Sequence, residues 1–586
     1  MRLNGAQLAA AQAPERQVLT VAGAGTGKTT MLVARSLWLA ERYGRVRLTT
    51  FSRRGVRVLR SRLEGAPAAL RDRITVETHH GLGRRILRDH GGLIGWAPDW
   101  TIIDRAEQDA LEREARGQGD LFAARLQRAA LRTYDELLPG AVALLRAHPA
   151  VADEWSADTA HLVDEAHDSS EAEWYLDRAL GQESLTVVGD PAQRIYGWRG
   201  AIGMETLGGD WARYALGDNY RSGPAILALA NRLPIAGRVD LRAHRAGGTV
   251  EQWEGPADEH LVARLLRDDD LLLRPERWAI LARTRHRLER VAEWLRGEGI
   301  PVHAPCLSAK RWEGPQARRL LDHLHCVANP HASLHLARVL SQAGWTEAQL
   351  LDAEFGRADP SRPLSLWEWV CHHADPDDHA ADVLRLLATL RTLSDPADGD
   401  TGIDAEECAR ELQRAGVDVG EASPDLRGKS PSEFLDWLAD PDRDDGDGAE
   451  EACYLGTIHS AKGEEYPTVL VLGLEEGGLP GSRWRTELRP ELDRIAEERR
   501  LLYVAVTRAE ERLILARRTE RRVPGGARVA AAPSRFILEI GGAPHDDRDR
   551  TPGRDLPPLR GRGGRVLPHA SRRRQDRLPR GPEASR

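Results

Sequence analysis

Short apolar, β-branched runs alternate with longer amphipathic stretches along the 586-residue chain. The short runs predict buried strands, because strands of a parallel sheet covered on both faces read as nearly continuous apolar sequence. Five such runs lie at 17–22, 159–163, 185–188, 279–282 and 466–472. A helical pattern from Thr29 to about Arg42 follows the first run after a Gly-rich turn. The alternation predicts an α/β protein with parallel sheets.

Two long intervals, at about 85–157 and 305–450, are rich in Ala, Leu, Arg and Trp. They lack the short apolar runs followed by turn residues that predict strands elsewhere. They predict mostly helical insertions into two α/β units. The predicted first unit comprises 1–84 and 158–240 with an insertion at 85–157, and the predicted second unit comprises 241–315 and 450–543 with an insertion at 316–449.

The last segment, 544–586, is rich in Arg, Pro and Gly and has almost no large apolar residues. Such a composition cannot offset the entropy lost on ordering, so we predict a disordered tail. Its arginine excess suits a solvated tail and leaves binding to DNA or to a partner open. The acidic run 440–451 imitates a calcium loop, but Asp445 occupies the position that requires glycine, which favours an exposed connector.

The overall composition narrows the class of protein. A formal net charge of −7 argues against a uniformly basic nucleic-acid coat but is compatible with a local basic groove. The five cysteines are far apart and form no CxxC pair, which disfavours a disulfide scaffold or a structural zinc site and fits a reducing compartment. No apolar stretch approaches the roughly 18 residues of a spanning helix, and polar residues interrupt any signal-peptide core. We therefore expect a cytoplasmic protein with no membrane partner.

Lysine is rare, since the chain contains only Lys28, Lys310, Lys429 and Lys462. Arginine otherwise carries the positive charge, so a retained lysine indicates a need for a compact ammonium group. Lys28 and Lys462 both lie in the motifs described next.

A Gly-rich segment at 22–29, AGAGTGKT, follows the first predicted strand and opens the first long helix. This is the setting of a P-loop, whose glycines let backbone N–H groups approach phosphate oxygens at a positive helix N-terminus. Lys28 is expected to reach the β- and γ-phosphates, and the Thr29 hydroxyl to complete a Mg²⁺ shell. The predicted ATP-binding residues of the loop are Ala22, Gly23, Ala24, Gly25, Thr26, Gly27, Lys28 and Thr29.

Two acids follow the apolar run 159–163, and they complete the predicted hydrolytic site. Asp164 and Glu165 are expected at the carboxyl edge of the sheet, beside the P-loop. Asp164 is predicted to hold Mg²⁺ directly or through water, and Glu165 to orient or deprotonate the attacking water. Taken alone, the pair also fits an ordinary strand end, but its combination with the P-loop favours ATP hydrolysis with ATP and Mg²⁺ as substrate and cofactor.

Further segments resemble, in order, the motifs of superfamily 1 DNA helicases of the UvrD/Rep type, from Leu3 to about Ile540. The segments are 3–7 (LNGAQ), 49–52 (TTFS), 78–80 (THH), 188–201 (VGDPAQRIYGWRGA), 219–222 (NYRS), 279–284 (AILART), 457–465 (TIHSAKGEE), 497–509 (EERRLLYVAVTRA) and 533–539 (PSRFILE). The resemblance implies two RecA-like P-loop motor domains with parallel sheets, each carrying a mostly helical insertion.

The resemblance also implies roles around the nucleotide. Gln7 would read adenine, Tyr220 would stack on it, and Glu465 would lie near the ribose. Without the resemblance, Gln7 would be interpreted as an ordinary polar residue on an N-terminal helix. The implied catalytic residues are Lys28, Asp164, Glu165, Gln193, Arg221 and Arg508, with Gln193 sensing the γ-phosphate and the two arginines reaching it.

A set of aromatic, hydroxyl and basic residues is implied to bind DNA. Aromatic rings provide stacking faces for bases, and hydroxyl and basic groups contact phosphates. The implied DNA-binding residues are Thr50, Phe51, His79, Tyr196, Trp198, Arg199 and His459. The expected partners are single-stranded and tailed duplex DNA, with repair or defence proteins as further candidates.

The chain departs from the family pattern at three positions. His167 stands where glutamine is usual, Glu464 where leucine is usual, and Thr30 where arginine is common. None of these changes removes an implied catalytic group, so ATP hydrolysis remains the expectation. The change at His167 is expected to weaken communication between ATP and Gln193.

The sequence thus predicts an ATP-dependent helicase that translocates 3′→5′ on single-stranded DNA and unwinds duplex in repair, replication or recombination. The helical insertions are shorter than is typical for the family, which leaves a second interpretation open. In that interpretation the protein is a DNA-stimulated ATPase, translocase or nucleotide sensor in a larger repair or defence complex, without processive unwinding. A third reading, a DNA-binding scaffold with a decayed motor, is disfavoured because the parts for phosphoryl transfer are complete.

Overall fold

The structure of the chain is a computed structural model. It describes residues 3–96, 100–103, 108, 131–307, 312, 314–329, 332–346, 348–350, 366–373, 379–394, 402–420, 423–439, 451–481, 491–522 and 528–541. The predicted tail, Lys310 and most of the predicted acidic connector lie outside these residues. Among the described helices, none combines the length and the apolar character needed to span a bilayer.

The first of two six-stranded sheets carries the P-loop strand near one side. All its neighbouring strands pair in parallel. Their order across the sheet is Ile74–Thr78, Arg45–Thr50, Thr159–Val163, Ser184–Gly189, Gln17–Ala22 and Ala212–Leu216. Three of these strands coincide with predicted apolar runs. Thr159–Val163 and Ser184–Gly189 are buried along their whole length, as expected for strands covered on both faces.

The second sheet is also six-stranded and parallel throughout. Its strand order is Thr249–Gly255, Ala509–Arg518, Tyr466–Leu472, Trp278–Ala282, Cys453–Thr457 and Val302–His303. The predicted strands at 279–282 and 466–472 lie at its centre, where burial on both faces is greatest. The predicted α/β class with parallel sheets in two units is confirmed.

Helices flank the sheets. Those up to residue 240 are Gly5–Ala11, Lys28–Ala40, Arg53–Glu64, Ala68–Arg71, His79–His90, Leu137–Ala147, Pro149–Ser156, Glu171–Leu180 and Pro224–Arg232. Those beyond it are Asp258–Leu265, Asp269–Leu273, Arg285–Gly297, Pro315–Ala328, Ser333–Gln342, Leu366–His373, His379–Ser394, Ala405–Arg414, Pro431–Ala439, Glu491–Val506 and Arg535–Ile540. Short 3₁₀ turns occur at Gly91–Ile94, Tyr134–Glu136, Ala166–Asp168, Pro191–Gln193, Gly197–Arg199, Met204–Thr206, Pro275–Arg277, Pro305–Leu307 and Pro424–Leu426.

Three two-stranded pairs complete the described elements. They are Thr101–Ile103 with Leu131–Thr133, Asp218–Asn219 with Arg242–Ala243, and Glu520–Arg522 with Arg528–Ala530. The first pair lies in the interval predicted to be a helical insertion, and the helix His79–His90 runs across its predicted boundary at 84/85. From 316 to 449 the described elements are helical and share an apolar core that includes Leu324, Leu387 and Phe434. The division into domains stays a prediction.

A continuous apolar cluster joins the two units, and we call it the seam. Ile195, Ile226 and Leu229 from the first unit pack in the same cluster as Leu502 and Phe536 from the second. Burial of apolar surface contributes roughly 25 cal/mol per Å². The seam therefore sets the two sheets side by side and brings their loops together.

Candidate nucleotide and DNA site

The P-loop takes its shape from two glycines with left-handed backbone. Gly25 has φ 65° and Gly27 has φ 75°, a region that residues with a Cβ enter only at a cost. A Cβ on Gly25 would lie 2.6 Å from Asn219 Nδ2, and one on Gly27 would lie 2.6 Å from Gln7 Nε2. The Asn219 side chain also donates to the Ala24 carbonyl at 2.7 Å. The loop thus has no room for side chains at either position.

The loop forms one wall of a cavity of about 710 Å³. The predicted site residues among its lining are Gln7, Gly23, Ala24, Gly25, Thr26, Gly27, Lys28, Thr29, Glu165, Gln193, Tyr220, Arg221, Glu465 and Arg508. Ala22 ends the strand just before the lining begins. Residues from both sheets line one cavity, as the resemblance implies.

Lys28 and Glu165 form the central ion pair. Lys28 Nζ lies 2.8 Å from each carboxylate oxygen of Glu165. Burial opposes both charges, yet the carboxylates of Glu165 and Asp164 raise the pKa of Lys28 above its ordinary value. Against the same burial, Lys28 holds the pKa of Glu165 well below its usual range. Both groups are therefore ionised at neutral pH.

Asp164 lies next to this pair at the strand end. Burial, followed by the Glu165 charge, raises the pKa of Asp164 to about 7, so a cation nearby would favour its ionised form. A carboxylate and the Thr29 hydroxyl are hard oxygen donors that suit Mg²⁺, which keeps water and phosphate as further ligands. No group of three or more His, Cys, Asp or Glu in the described part of the chain could hold a metal by itself. The residues present fit a Mg²⁺ ion shared with a phosphate group.

Gln193 and Arg508 meet across the gap between the two units. Arg508 Nη2 donates to Gln193 Oε1 at 3.1 Å, and Gln193 Nε2 donates to Asp190 Oδ2 at 2.8 Å. Burial, with a smaller contribution from Arg221, lowers the pKa of Arg508 to about 9. An anion between the two guanidinium groups would offset this cost.

Arg221 and the adenine-side residues complete the cavity. Arg221 Nε donates to Glu465 Oε2 at 2.7 Å, and its Nη1 donates to the Thr507 carbonyl at 3.1 Å. Gln7 Nε2 donates to the Thr26 carbonyl at 2.9 Å. Tyr220 is 46% exposed, and its ring lies 4.8 Å from the His244 ring, so exposed ring surface remains for stacking.

The lining also includes residues that were not predicted as site residues, among them Asn4 and Arg245. Asn4 Nδ2 donates to the Tyr220 hydroxyl at 2.8 Å. A sequence signal for Asn4 was available, because the spacing of Asn4 and Gln7 fits a capping box. This motif places Asn4 at the start of the helix that carries Gln7. Arg245 pairs with Glu510 at 2.8 Å. No local pattern predicts a contact between residues that far apart in sequence.

Aromatic and basic side chains gather on the neighbouring surface, and we call this group the aromatic cluster. Phe51 and Tyr196 stack with ring centroids 4.8 Å apart. The Arg199 guanidinium lies 5.4 Å from the Phe51 ring and 5.9 Å from the Trp198 ring. His459, from the second unit, lies 6.0 Å from Tyr196, and Trp198 is 66% exposed. Five of the seven predicted DNA-binding residues thus lie together.

The other two predicted DNA-binding residues, Thr50 and His79, are buried. Thr50 ends its strand and packs against Gly55. His79 Nε2 lies 3.0 Å from Asp177 Oδ1, and His161 Nε2 lies 2.8 Å from the same oxygen. Both imidazoles and the carboxylate are nearly inaccessible to solvent. The side chain of His79 therefore faces the interior rather than the aromatic cluster.

Charged contacts also cross between the units beside the aromatic cluster. Arg54 forms an ion pair with Glu464, the residue that stands where the family usually has leucine. Lys462 forms an ion pair with Asp168 and donates to the Gln193 carbonyl at 3.1 Å. Two side chains of one motif in the second unit thus contact the first unit.

Comparison with known proteins matches both halves of the site. Residues 3–121 and 119–205 match the family model of the UvrD/REP helicase N-terminal domain, and residues 438–520 match that of the UvrD-like helicase C-terminal domain. The chain is 26% identical to the ATP-dependent DNA helicase PcrA of Leuconostoc citreum, over 92% of the chain and 84% of the relative. It is 24% and 25% identical to proteins of that name from Staphylococcus epidermidis and Staphylococcus aureus, over 92% of the chain and 86% of each relative.

The buried His79–Asp177 pair predicts a pH-dependent stability. Burial opposes the charge on His79, but Asp177 raises the pKa of His79 to about 9 from an ordinary 6.5. The pKa of Asp177 falls to about 2, so that carboxylate stays ionised throughout this range. Since the histidine pKa is raised on folding, the contribution of the pair is complete below pH 6.5 and is lost as the pH rises through about 9.

We expect Asp177→Asn to lower the unfolding temperature at pH 6.5 and to flatten its decline between pH 6.5 and 9. Differential scanning calorimetry at several pH values measures both effects. Glu171→Gln, an exposed change on the same helix, serves as the control and should behave like the wild type. Equal pH dependence in wild type and Asp177→Asn would contradict the assignment.

Proposed function

The chain belongs to the UvrD/Rep-type family of superfamily 1 DNA helicases, and from this premise we propose that it hydrolyses ATP to translocate 3′→5′ along single-stranded DNA and to unwind duplex. One observation carries the proposal: Arg508 of the second unit contacts Gln193 beside the P-loop of the first. DNA repair, replication or recombination is the proposed setting. The proposed motor domains are 1–84 with 158–240 and 241–315 with 450–543, interrupted by insertions at 85–157 and 316–449.

ATP would enter a site in which Lys28 forms an ion pair with Glu165. The triphosphate offers Lys28 more negative charge than Glu165 does, so we propose that Lys28 moves from the carboxylate to the β- and γ-phosphates. Glu165, released and still ionised, then orients or deprotonates the attacking water. Gln7 and Tyr220 would contact adenine, and Glu465 the ribose.

Mg²⁺, held by the Thr29 hydroxyl and Asp164, would neutralise charge on the phosphates when bound. Arg221 and Arg508 would approach the γ-phosphate from the opposite wall and stabilise the charge of the transferring group. Since Arg508 belongs to the second unit, its approach requires the cleft to close. After hydrolysis, release of the cleaved phosphate removes the charge that draws the two walls together, and the cleft reopens.

The link to DNA would pass through the segment that carries Gln193. Tyr196 lies three residues further on and stacks with Phe51 in the aromatic cluster. Trp198, Arg199 and His459 are proposed to grip bases and phosphates there, and the buried Thr50 is proposed to hold the adjacent Phe51 in place. For His79 we propose an indirect role, in which its pair with Asp177 positions the segment beside the DNA. Alternating grip during closure and reopening would move the protein along one strand.

A second function is supported by the short insertions. In that case the motor would act as a DNA-stimulated ATPase, translocase or nucleotide sensor within a larger repair or defence complex, and would not unwind duplex processively. DNA base-pair stacking is worth about 1.4 kcal/mol per step, so ATP hydrolysis suffices energetically for either function.

Lys28→Ala should reduce DNA-stimulated ATP turnover at least ~100-fold, because the ammonium group that contacts the phosphates is removed. Phosphate release in the presence of a single-stranded oligonucleotide measures this. Lys429→Ala is the matched control, since Lys429 contacts the Asp425 carbonyl in the helical segment far along the chain. Undiminished turnover in Lys28→Ala would refute the assignment of the site.

Trp198→Ala should weaken binding of single-stranded DNA roughly 5- to 150-fold, which corresponds to ~1–3 kcal/mol for one stacked base. Fluorescence anisotropy with a labelled oligonucleotide measures the dissociation constant. Trp198→Phe keeps a stacking face and should retain most of the affinity. If Trp198→Ala binds like the wild type, DNA does not use this surface.

Strand displacement separates the two candidate functions. With saturating ATP, we expect the protein to unwind 3′-tailed duplexes and to leave 5′-tailed and blunt duplexes intact. DNA-stimulated ATP turnover without displacement would support the second function, and a preference for 5′ tails would contradict the proposed polarity. DNA binding that ignores ATP, without turnover, would indicate a decayed motor.

A further inference from the structure

We propose that a second cavity, at the edge of the first sheet opposite the P-loop, binds a small molecule that carries a phosphate group. The cavity has a volume of about 500 Å³, and its lining includes Arg45, Arg47, Arg85, His90 and Trp155. We call it the amino-edge cavity. These five residues are separate from the lining of the nucleotide cavity, so the proposal goes beyond ATP hydrolysis and does not depend on it.

The parallel sheet places this cavity away from the catalytic residues. Arg45 and Thr159 are the first residues of their strands and lie opposite each other, and Arg47 lies opposite Thr75. The P-loop and Asp164 instead follow the carboxyl ends of strands in the same sheet. A ligand in the amino-edge cavity would therefore lie across the sheet from the ATP site.

Arg47 brings a buried positive charge to the wall of the cavity. The residue is 7% exposed, and its Nη2 donates to the Trp155 carbonyl at 3.0 Å. Within the described part of the chain, its Nε and Nη1 have no hydrogen-bond partner, and both atoms are covered, so bulk water does not satisfy them either. A buried guanidinium with unmet hydrogen-bonding capacity costs free energy, which an anion close by would offset.

The two carboxylates that favour the charge of Arg47 already pair with other basic groups. Glu77 accepts from Arg85 at 2.6 Å, and Asp177 lies 3.0 Å from His79. Burial lowers the pKa of Arg47 to about 10, with Glu77 opposing this shift and Arg85 adding to it. Arg47 is still charged at neutral pH, and its charge is only partly balanced.

Trp155 holds two of the guanidinium groups in place. The guanidinium carbons of Arg47 and Arg85 lie 5.3 Å and 4.9 Å from the centre of its ring, within the range of a cation–π contact. The indole is fixed in turn, because its Nε1 donates to His90 Nε2 at 3.2 Å. Basic groups that are ordered before binding lose little conformational entropy when a ligand arrives.

Two acids, Asp89 and Glu154, also line the cavity. Both are exposed, and the Glu154 side chain is 68% exposed, so water and salt screen their charges. Arg45 and Arg85 are exposed too and can donate directly to a ligand, while the buried Arg47 contributes its charge through a medium that screens it less.

This arrangement favours a phosphate group over a carboxylate. A phosphate monoester carries close to two negative charges and three acceptor oxygens, so it can engage more than one guanidinium group at once. The volume of the cavity lies within the range of small-molecule pockets, roughly 300–1,000 Å³, and leaves room for the rest of a molecule of nucleotide size. A terminal phosphate on a nucleic-acid strand has the same chemistry, so the test includes one.

Isothermal titration calorimetry of the whole 586-residue chain tests the proposal, with inorganic phosphate and CMP as probes. Because the P-loop also binds phosphate, the titrations use Lys28→Ala as the background. We expect this background to retain a phosphate site, and the addition of Arg47→Met to weaken that site at least about 10-fold. Equal binding with and without Arg47→Met would overturn the proposal.

Arg42→Met is the matched control. Arg42 also lies over a tryptophan ring, 3.5 Å from the centre of Trp38, but it lines neither cavity. Its replacement should leave phosphate and CMP binding unchanged, and an equal loss in both variants would overturn the assignment to the amino-edge cavity. A 5′-phosphorylated oligonucleotide distinguishes the sources. If Arg47→Met weakens binding of that oligonucleotide alone, the phosphate belongs to nucleic acid and the small-molecule proposal is wrong.

The unfolding temperature separates a ligand-binding role from a structural one. In phosphate-free buffer we expect Arg47→Met to unfold at or above the wild-type temperature, because an apolar side chain of similar length removes an incompletely paired buried charge. Added phosphate should then raise the unfolding temperature of the wild type more than that of Arg47→Met. A lower unfolding temperature in Arg47→Met with an undiminished response to phosphate would show a structural role and overturn the proposal.

An exposed residue keeps the test decisive if Arg47→Met does not fold. Arg45→Met changes a side chain at the start of a strand, where its Nη2 donates to the Ala157 carbonyl at 3.1 Å. We expect this variant to weaken phosphate binding in the Lys28→Ala background roughly two- to five-fold. Unchanged binding in Arg45→Met would then overturn the proposal. ATP turnover enters none of these measurements, so the outcome is independent of the proposed motor function.

Discussion

Buried charge at the carboxyl edge of the first sheet is the constraint on which the site depends. Asp164 and Arg508 are buried, Lys28 and Glu165 are largely shielded from water, and an unpaired charge there would cost several kcal/mol. Lys28 and Glu165 satisfy each other, while Arg508 donates to two carbonyl groups and to the Gln193 amide oxygen. In the proposed mechanism a triphosphate would take over these partners instead of adding to them. Nucleotide binding and cleft closure would then both follow from one redistribution of charge.

The sequence predicted those elements whose signals are local. The P-loop and the acids at 164–165 each follow a short, mainly apolar strand, so their spacing is readable without knowledge of the fold. The strand Arg45–Thr50 was missed because Arg47 interrupts its apolar pattern. In the structure that arginine is buried, and its Nη2 donates to the Trp155 carbonyl at 3.0 Å. A charged residue thus occupies an interior position that a hydrophobic pattern cannot reveal.

Other features were beyond the reach of sequence for reasons of distance and direction. The contact between Gln193 and Arg508 joins residues 315 positions apart, and only the resemblance suggested it. The motif at 78–80 suggested a DNA contact for His79, but a motif does not state which way a side chain points. Its orientation depends on Asp177, which lies 98 positions further along the chain. The motif identified the segment at 78–80, but tertiary packing determines that the His79 side chain points into the interior.

The seam has a consequence for how this protein can evolve. Removal of either half of the chain would uncover part of this shared apolar cluster, to which Ile226 and Leu229 belong on one side and Leu502 and Phe536 on the other. Neither half can be exchanged freely with that of a distant relative, because the complementary surface was selected on the other half. Recombination near residue 240 would join mismatched partners, so the two halves are expected to be inherited as one unit.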